Sequence, residues 1–127
     1  MIKKITNREM INGISGMQQL MKKELPIRAS YALMKNKNKV NSVLKNFDEI
    51  SKKLTDKYVK RDENGNPLKD KKGLPKSDNQ EQWNKDFEEL LDIENEIDVH
   101  QISISDLQGV NLSVGQLEAI NFMIKEE

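Results

Sequence analysis

The stretch IRASYALMKNKNKVNSVLKNFDEISKKLTDKYVK, residues 27–60, decides the fold. Pro26 precedes it, and proline is tolerated in a first helical turn because the N–H that it lacks has no partner there. The sequence predicts one helix about 50 Å long, which needs a partner to cover its apolar face. The residues of that face recur seven positions apart, at helical spacing: Leu33, Val40, Phe47 and Leu54.

The predicted partner is a second helix over residues 80–94. Asp78, followed three residues later by Glu81, predicts its N-cap and capping box. We expect the two helices to pack antiparallel as a helical hairpin over residues 27–94, similar to a short intramolecular coiled coil. The apolar residues of the second helix also follow helical spacing: Trp83, Phe87, Leu90 and Leu91.

The connection between the two helices, residues 61–78, has the sequence RDENGNPLKDKKGLPKSD. Asn64-Gly65 favours a tight hairpin turn, and Asn66-Pro67 and Gly73-Leu74-Pro75 are further turn signals. The phrases RDENGNP and KDKKGLP resemble each other. We predict an exposed tip, either a loop or a small ribbon, and the most mobile part of the chain.

Shorter elements are predicted on either side of the hairpin. Residues 2–5 form a short strand, which pairs with a second strand in the alternating segment 97–104. Thr6 with Glu9 is a capping-box pattern that opens a helix ending near residue 24. Ser113 with Gln116 opens a last helix ending near residue 125. The predicted fold is therefore mainly α, with flanking helices and a small two-stranded sheet, in a single domain of residues 1–127.

The first helix contains two glycines and several methionines. Gly13 and Gly16 weaken an isolated helix by about 1 kcal/mol each relative to alanine, so we expect them to permit close packing against the long helix. Methionine adapts to irregular gaps in a core. We therefore expect Met10, Met17 and Met21 to fill the core rather than to form a binding surface.

Positive and negative residues are segregated along the chain, although the net charge is zero. Residues 1–76 hold 19 Lys or Arg and 8 Asp or Glu, whereas residues 77–127 hold 2 and 13. Packing the acidic second helix against the basic long helix would bring opposite charges together. Because an exposed ion pair contributes only about 0–1 kcal/mol, we expect this pattern to set orientation rather than stability.

The residue types that most often carry catalysis are scarce. The chain has no Cys, which excludes disulfides and thiolate chemistry, and its only His is His100, which we expect at the surface of the second strand. No phosphate loop, nucleophile elbow or dinucleotide fingerprint is present. We expect no enzymatic activity and no cofactor.

Two patterns in the sequence are candidate metal sites. The acidic residues between positions 86 and 98 are dense enough for a carboxylate site, but such runs on helices usually form a solvated face. A calcium loop starting at Asp62 lacks two required residues, because Pro67 and Gly73 stand where an EF-hand has Gly and a bidentate Glu. We therefore expect no metal site.

Two charged surfaces are candidates for binding a partner. The tip carries Lys69, Lys71 and Lys72, which continue a lysine series along the long helix and would suit phosphates, although Arg for base readout is nearly absent. The second helix carries Glu88, Glu89 and Asp92, which would dock on a basic partner or compete with nucleic acid for a basic groove. The lysines of the long helix are Lys35, Lys37, Lys39, Lys45, Lys52, Lys53, Lys57 and Lys60.

Three segments give the chain a resemblance to a known family. They are LPIRASYAL at residues 25–33, FEELLDIE at residues 87–94 followed by the strand to residue 102, and residues 112–124. In order and spacing over residues 20–125, they resemble a family of small proteins from phages and prophages of low-GC Gram-positive bacteria, classed as a domain of unknown function. The resemblance implies a phage accessory or late-gene product and supplies no catalytic residues.

These observations lead to a functional hypothesis. We expect a phage-encoded, non-catalytic protein that binds another protein, favoured as an inhibitor of a host protein such as an antiphage defence nuclease complex. The alternatives are a virion or tail-assembly component and a nucleic-acid-binding accessory protein, and a homo-oligomer stays open. The sequence shows neither a signal-peptide pattern nor an apolar run long enough for a membrane span, so we expect the host cytoplasm or the virion as its location.

Overall fold

The computed structural model describes residues 1–125. The chain is mainly helical, and the predicted helical hairpin and small antiparallel sheet are both confirmed. None of the helices in this part of the chain combines the length and the apolar character needed to cross a membrane. In chain order the elements are β1 (Ile2–Thr6), α1 (Asn7–Met21), α2 (Ile27–Tyr58), α3 (Gln80–Leu91), β2 (Glu94–Asp98), a 3-10 turn (Ile104–Leu107), α4 (Val114–Ile120) and a second 3-10 turn (Asn121–Met123).

Aromatic contacts hold the hairpin of α2 and α3 together. The rings of Phe47 and Phe87 meet edge to face with centroids 6.0 Å apart, and those of Tyr58 and Trp83 stack at 6.2 Å. Such pairs contribute about 0.5–1.5 kcal/mol each beyond the area that they bury. The second half of the predicted apolar stripe, around Phe47, is therefore the surface on which α3 packs, whereas Leu33 and Val40 of its first half belong to a core with other elements.

Helix α3 starts and ends differently from the prediction. Its N-cap is Asn79, whose side chain accepts from the N–H of Gln82 at 3.1 Å; the prediction of Asp78 was wrong by one residue, because the helix begins at Gln80 and Asn79 is the residue directly before it. The helix ends at Leu91 rather than near residue 94, because β2 begins at residue 94.

The main core lies around the first half of α2. It joins the sheet, α1 and the C-terminal segment into a compact part that we call the head, whereas the second half of α2 and α3 form an arm with their own aromatic contacts. Met10 and Met17 are buried in the core, as expected, whereas Met21 is exposed. The core side chains are Ile5, Met10, Met17, Leu20, Ala32, Leu33, Val40, Ile97, Val99, Ile102, Ile120, Met123 and Ile124.

The two glycines of α1 pack closely, but against a different helix from the one predicted. A Cβ at Gly16 would lie 2.5 Å from the Cβ of Ala119, and one at Gly13 would lie 3.4 Å from the Ala119 carbonyl oxygen. Their neighbour is therefore α4 rather than α2. Helical periodicity identified the glycine face but carried no information about which helix would cover it.

The two strands pair antiparallel, but the second strand lies earlier in the chain than predicted. The ladder runs from Ile2 opposite Asp98 to Thr6 opposite Glu94, so β2 lies before most of the predicted segment 97–104. One further backbone bond extends the ladder: the Asn7 N–H donates to the Ile93 carbonyl at 3.1 Å. Beyond Asp98, Val99 and Ile102 enter the core, whereas Ile104 is exposed; within residues 1–125 no strand pairs with this segment as a ladder.

Two buried asparagines join segments that are distant in sequence. Asn36 donates from Nδ2 to the carbonyl of His100 at 2.8 Å and accepts from the His100 N–H at 2.8 Å. Asn7 donates to the carbonyl of Leu90 at 2.7 Å and accepts from Nδ2 of Asn95 at 2.8 Å. Each side chain therefore binds the backbone of a segment distant in sequence, at His100 for Asn36 and at Leu90 for Asn7.

The last helix has the predicted start and an earlier end. Ser113 and Gln116 form the expected capping box. Helix α4 ends at Ile120 rather than near residue 125, because the following backbone binds the segment around Ile102. The Ile102 N–H donates to the Met123 carbonyl at 2.9 Å, and the Lys125 N–H donates to the Ile102 carbonyl at 2.7 Å.

Candidate protein-binding surface

The predicted tip, residues 61–78, and the two residues before it form a closed ring rather than an open loop. The tip is from here on residues 59–78. Three residues spaced eight apart bind one another through their backbones. The N–H of Lys60 donates to the carbonyl of Lys76 at 2.9 Å, that of Lys76 to Leu68 at 2.8 Å, and that of Leu68 to Lys60 at 2.8 Å. The predicted small ribbon is thus confirmed in a compact, three-sided form.

Two matching turns connect the three sides of this ring. In the first, the Asp62 carbonyl accepts from the Gly65 N–H at 3.0 Å; in the second, the Asp70 carbonyl accepts from the Gly73 N–H at 3.0 Å. Both glycines have φ near +80°, a conformation that costs other residues strain. The similar phrases RDENGNP and KDKKGLP therefore form the same structure twice.

The aspartate side chains fix the turns from inside. Asp62 Oδ1 accepts from the N–H groups of Asn64 and Asn66, and Asp70 Oδ1 accepts from those of Lys72 and Leu74, at 2.8–3.0 Å. Aspartate commonly stabilises turns in this way. Oδ1 of Asp62 thus accepts hydrogen bonds from the backbone, and this segment forms the expected turn.

The outer surface of the tip combines apolar and cationic side chains. Leu74 is 58% exposed and Leu68 is 38% exposed. Lys69, Lys71 and Lys72 are exposed, and within residues 1–125 none of them has a carboxylate at salt-bridge distance. The tip thus presents two partly exposed leucines together with lysines available to an acidic surface.

The acidic face of α3 is partly neutralised within the molecule. Arg8 of α1 binds Glu88 and also Asp92, the latter through Nε at 3.3 Å. The hydrogen bond to Glu88 is the main cause that raises the pKa of Arg8. Of the three acidic residues predicted as a binding surface, Glu89 alone makes no ion pair within residues 1–125.

Several lysines of α2 are engaged inside the molecule. Lys39 donates to the carbonyl of Asp98. Lys60, just beyond the end of α2, has its Nζ 4.0 Å from Asp78 Oδ1. Lys35 and Lys57 lie over the rings of neighbouring tyrosines, 5.1 Å and 5.0 Å from their centroids. The lysine series is therefore not one free surface for phosphates, and the ion pairs between α3 and the rest of the fold reach α1 rather than α2.

The tyrosine at the end of α2 shifts the pKa of a carboxyl group on α3. Tyr58 donates its hydroxyl proton to Asp86 Oδ2 at 2.5 Å, and this bond lowers the pKa of Asp86 and raises the pKa of Tyr58. Gln82 also donates to Asp86, at 2.9 Å. These bonds fix the end of the arm from which the tip projects.

His100 lies outside the strand in which it was predicted. It follows β2 and Val99 and is exposed, with its ring edge to face against Tyr31 at 5.5 Å. Asp106 and Arg28 line the same pocket as His100, and within residues 1–125 no group of three His, Asp or Glu side chains is placed to hold a metal ion. This region therefore combines the aromatic contact of His100 and Tyr31 with one carboxylate and one guanidinium group.

No family model, curated protein or solved structure matches this chain. A function for this chain therefore has to be inferred from its own geometry.

The tip lysines were predicted from the sequence, whereas the exposed Leu74 beside them and the role of Arg8 were not. The eight-residue recurrence of the turn phrases was the signal for the ring, whereas nothing local to Arg8 indicates its distant partners.

Proposed function

We propose that this chain is a phage-encoded, non-catalytic protein that acts by binding another protein, and that the tip makes the decisive contact. The observation that carries the proposal is the closed ring of Lys60, Leu68 and Lys76. It presents exposed leucines beside Lys69, Lys71 and Lys72, which have no ion-pair partner within residues 1–125. A surface already ordered before binding loses less conformational entropy when it binds.

The chemistry of the tip defines the partner. Lys69, Lys71 and Lys72 favour an acidic surface, and complementary charge accelerates association and discourages wrong partners. Leu74 supplies the apolar contact that gives affinity once water is excluded. By contrast, Glu88 and Asp92 on α3 already bind Arg8, so a partner there must displace an internal ion pair.

The role that we favour is inhibition of a host protein, for example a component of an antiphage defence nuclease complex. An inhibitor needs a rigid contact surface and no active site of its own. Charge segregation supports this role, because the acidic and basic parts would each repel partners of like charge. The resemblance of residues 20–125 to small phage proteins supports the phage origin.

An affinity pull-down from lysate of a low-GC Gram-positive host tests the proposal. The tip variant carries Lys69→Glu, Lys71→Glu and Lys72→Glu. Its matched control carries Lys45→Glu, Lys52→Glu and Lys53→Glu, which make the same charge change at exposed positions of α2. We expect the wild type and the control to retain one host protein that the tip variant loses.

Other outcomes identify a different surface or a different function. If the partner is lost only from the variant with Glu88→Lys, Glu89→Lys and Asp92→Lys, the partner binds α3 rather than the tip. Recovery of no host protein, together with stoichiometric presence in purified virions, would replace inhibition by a structural role. A gel shift of short duplex DNA at about 50 mM salt, where phosphate contacts are strongest, would instead support the nucleic-acid alternative.

A further inference from the structure

A groove opens on the head, where Val40 of α2 contributes to its lining. It lies between α1, α4 and the end of β1 and has a volume of about 440 Å³. Small-molecule sites in proteins usually have volumes of about 300–1,000 Å³. Its floor consists of buried apolar side chains: Ile5, Met10, Met17, Val40 and Ala119.

Glycines keep this groove open. Gly13 and Gly115 line it from α1 and α4, and neither places a side chain in the space between the helices. Behind them, the contact of Gly16 with Ala119 brings the two helices together. The groove is therefore a consequence of the small residues at the α1–α4 contact, and its shape is set by two packed helices rather than by a loop.

The rim of the groove has a negative character. Glu9 and Glu118 line it from α1 and α4, together with the amides of Asn12 and Asn121, and its lining contains no lysine or arginine. Within residues 1–125, neither glutamate has a basic group at salt-bridge distance. Phe122 adds an aromatic wall.

We infer that this groove binds a small molecule with an aromatic or branched apolar body and one cationic amine. The body fits the apolar floor and the side of Phe122, where burial of apolar area stabilises the complex. The amine lies at the rim, where two carboxylates without internal ion-pair partners attract it. A neutral or anionic molecule with the same body lacks the second interaction.

NMR titration of the full chain with tryptamine and with indole-3-propionate tests the inference, because the two probes share an indole but carry opposite charges. The six glycine amides serve as reporters: Gly13, Gly16 and Gly115 lie at or beside the groove, whereas Gly65, Gly73 and Gly109 lie in exposed turns. We expect tryptamine to shift the first three with a Kd on the order of 1 mM and indole-3-propionate to leave them unchanged.

Two variants locate the binding. Gly115→Phe should abolish the shifts of Gly13 and Gly16, since a Cβ there meets only Ser113 Oγ, at 4.0 Å, and the ring has room to fill the groove. Glu118→Lys should weaken tryptamine about threefold to fivefold, whereas Glu89→Lys on α3 should not. Equal shifts with both probes, shifts confined to the turn glycines, or no shift at about 10 mM tryptamine would overturn the inference.

Discussion

At the scale of single residues, two buried asparagines decide how distant segments meet. Asn36 has an exposed fraction of 0%, and both ends of its amide bind the backbone of His100. A buried polar group is tolerated only when its hydrogen bonds are made. The position of the chain after β2 is therefore specified by one side chain of α2 as well as by apolar packing.

Asn36→Ala tests this contribution. We expect it to lower the free energy of unfolding by about 2 kcal/mol, because the N–H and carbonyl of His100 lose their partner. Urea denaturation followed by circular dichroism measures the change. Asn38→Ala, at an exposed position of the same helix, is the matched control and should have little effect; an equal loss in both variants would contradict the role of Asn36.

The close approach of α1 and α4 is decided by Gly16. Gly16→Ala should destabilise the protein by about 1–3 kcal/mol, because the new Cβ would lie 2.5 Å from that of Ala119. Thermal unfolding measures the loss, and Ala119→Gly in the same chain should restore part of it. Gly115→Ala, which meets no close atom, is the control; a double variant as unstable as the sum of the single ones would refute direct contact.

At the scale of elements, local signals were predictable and long-range ones were not. The caps at Thr6 and Ser113 were read correctly, because each depends on residues within one helical turn. The predicted start of β2 and the predicted end of α4 were wrong, because both ends depend on backbone hydrogen bonds to distant segments, at Asn7 and Ile102. Nothing in the local sequence encodes those partners.

The contact between α2 and α3 should depend on pH. The lowered pKa of Asp86, from an ordinary 3.8, means that its hydrogen bond with Tyr58 stabilises the fold above pH 3.8. This stability is lost as the pH falls through the lower, folded-state pKa. The Tyr58→Phe variant should be less stable at neutral pH, and its difference from the wild type should shrink in acid.

Trp83 is the natural reporter for this experiment, since it is the only tryptophan and stacks on Tyr58. Its fluorescence during urea unfolding, measured between neutral pH and pH 3, gives the stability of both proteins. Glu89→Gln, an exposed carboxylate on the same helix, serves as the control for general acid effects. A difference between wild type and Tyr58→Phe that is independent of pH would contradict the prediction.

The tip should lose its order as a unit. Gly73→Ala places a Cβ on a residue with φ of +79°, at a cost of about 1–2 kcal/mol. Because the ring is closed, we expect the amide protons of Lys60, Leu68 and Lys76 to lose protection together in hydrogen exchange. Gly109→Ala imposes the same strain on a remote turn and should leave these three amides protected; loss at Lys76 alone would indicate an open ribbon.

At the scale of the whole molecule, the head and the arm are joined by few polar contacts besides the continuous helix α2. Asn7 links α1 to Leu90 of α3, and Arg8 links α1 to the acidic face of α3. Sequence analysis predicted that the helices would form a hairpin. It could not predict which residues of the first helix would bind α3, since these pairs are 80 or more residues apart.

Asn7→Ala should separate the unfolding of the two parts. We expect a loss of about 2 kcal/mol and a transition of Trp83 fluorescence, which reports the arm, at lower urea than the transition of circular dichroism. In the wild type the two transitions should coincide. Asn12→Ala, at an exposed position on α1, is the control; coincident transitions in Asn7→Ala would show that other contacts couple head and arm.

The ring at the tip also restricts how this segment can change in length. In an open ribbon, added residues lengthen the strands and find partners across from them. Here the backbones of Lys60, Leu68 and Lys76 each donate one bond and accept another within the trio, so a fourth eight-residue unit would find no free position, and removal of one would leave the other two unsatisfied. The sequence changes that the ring tolerates are therefore substitutions of its outward side chains. The tip would acquire new binding partners through such substitutions rather than through inserted residues.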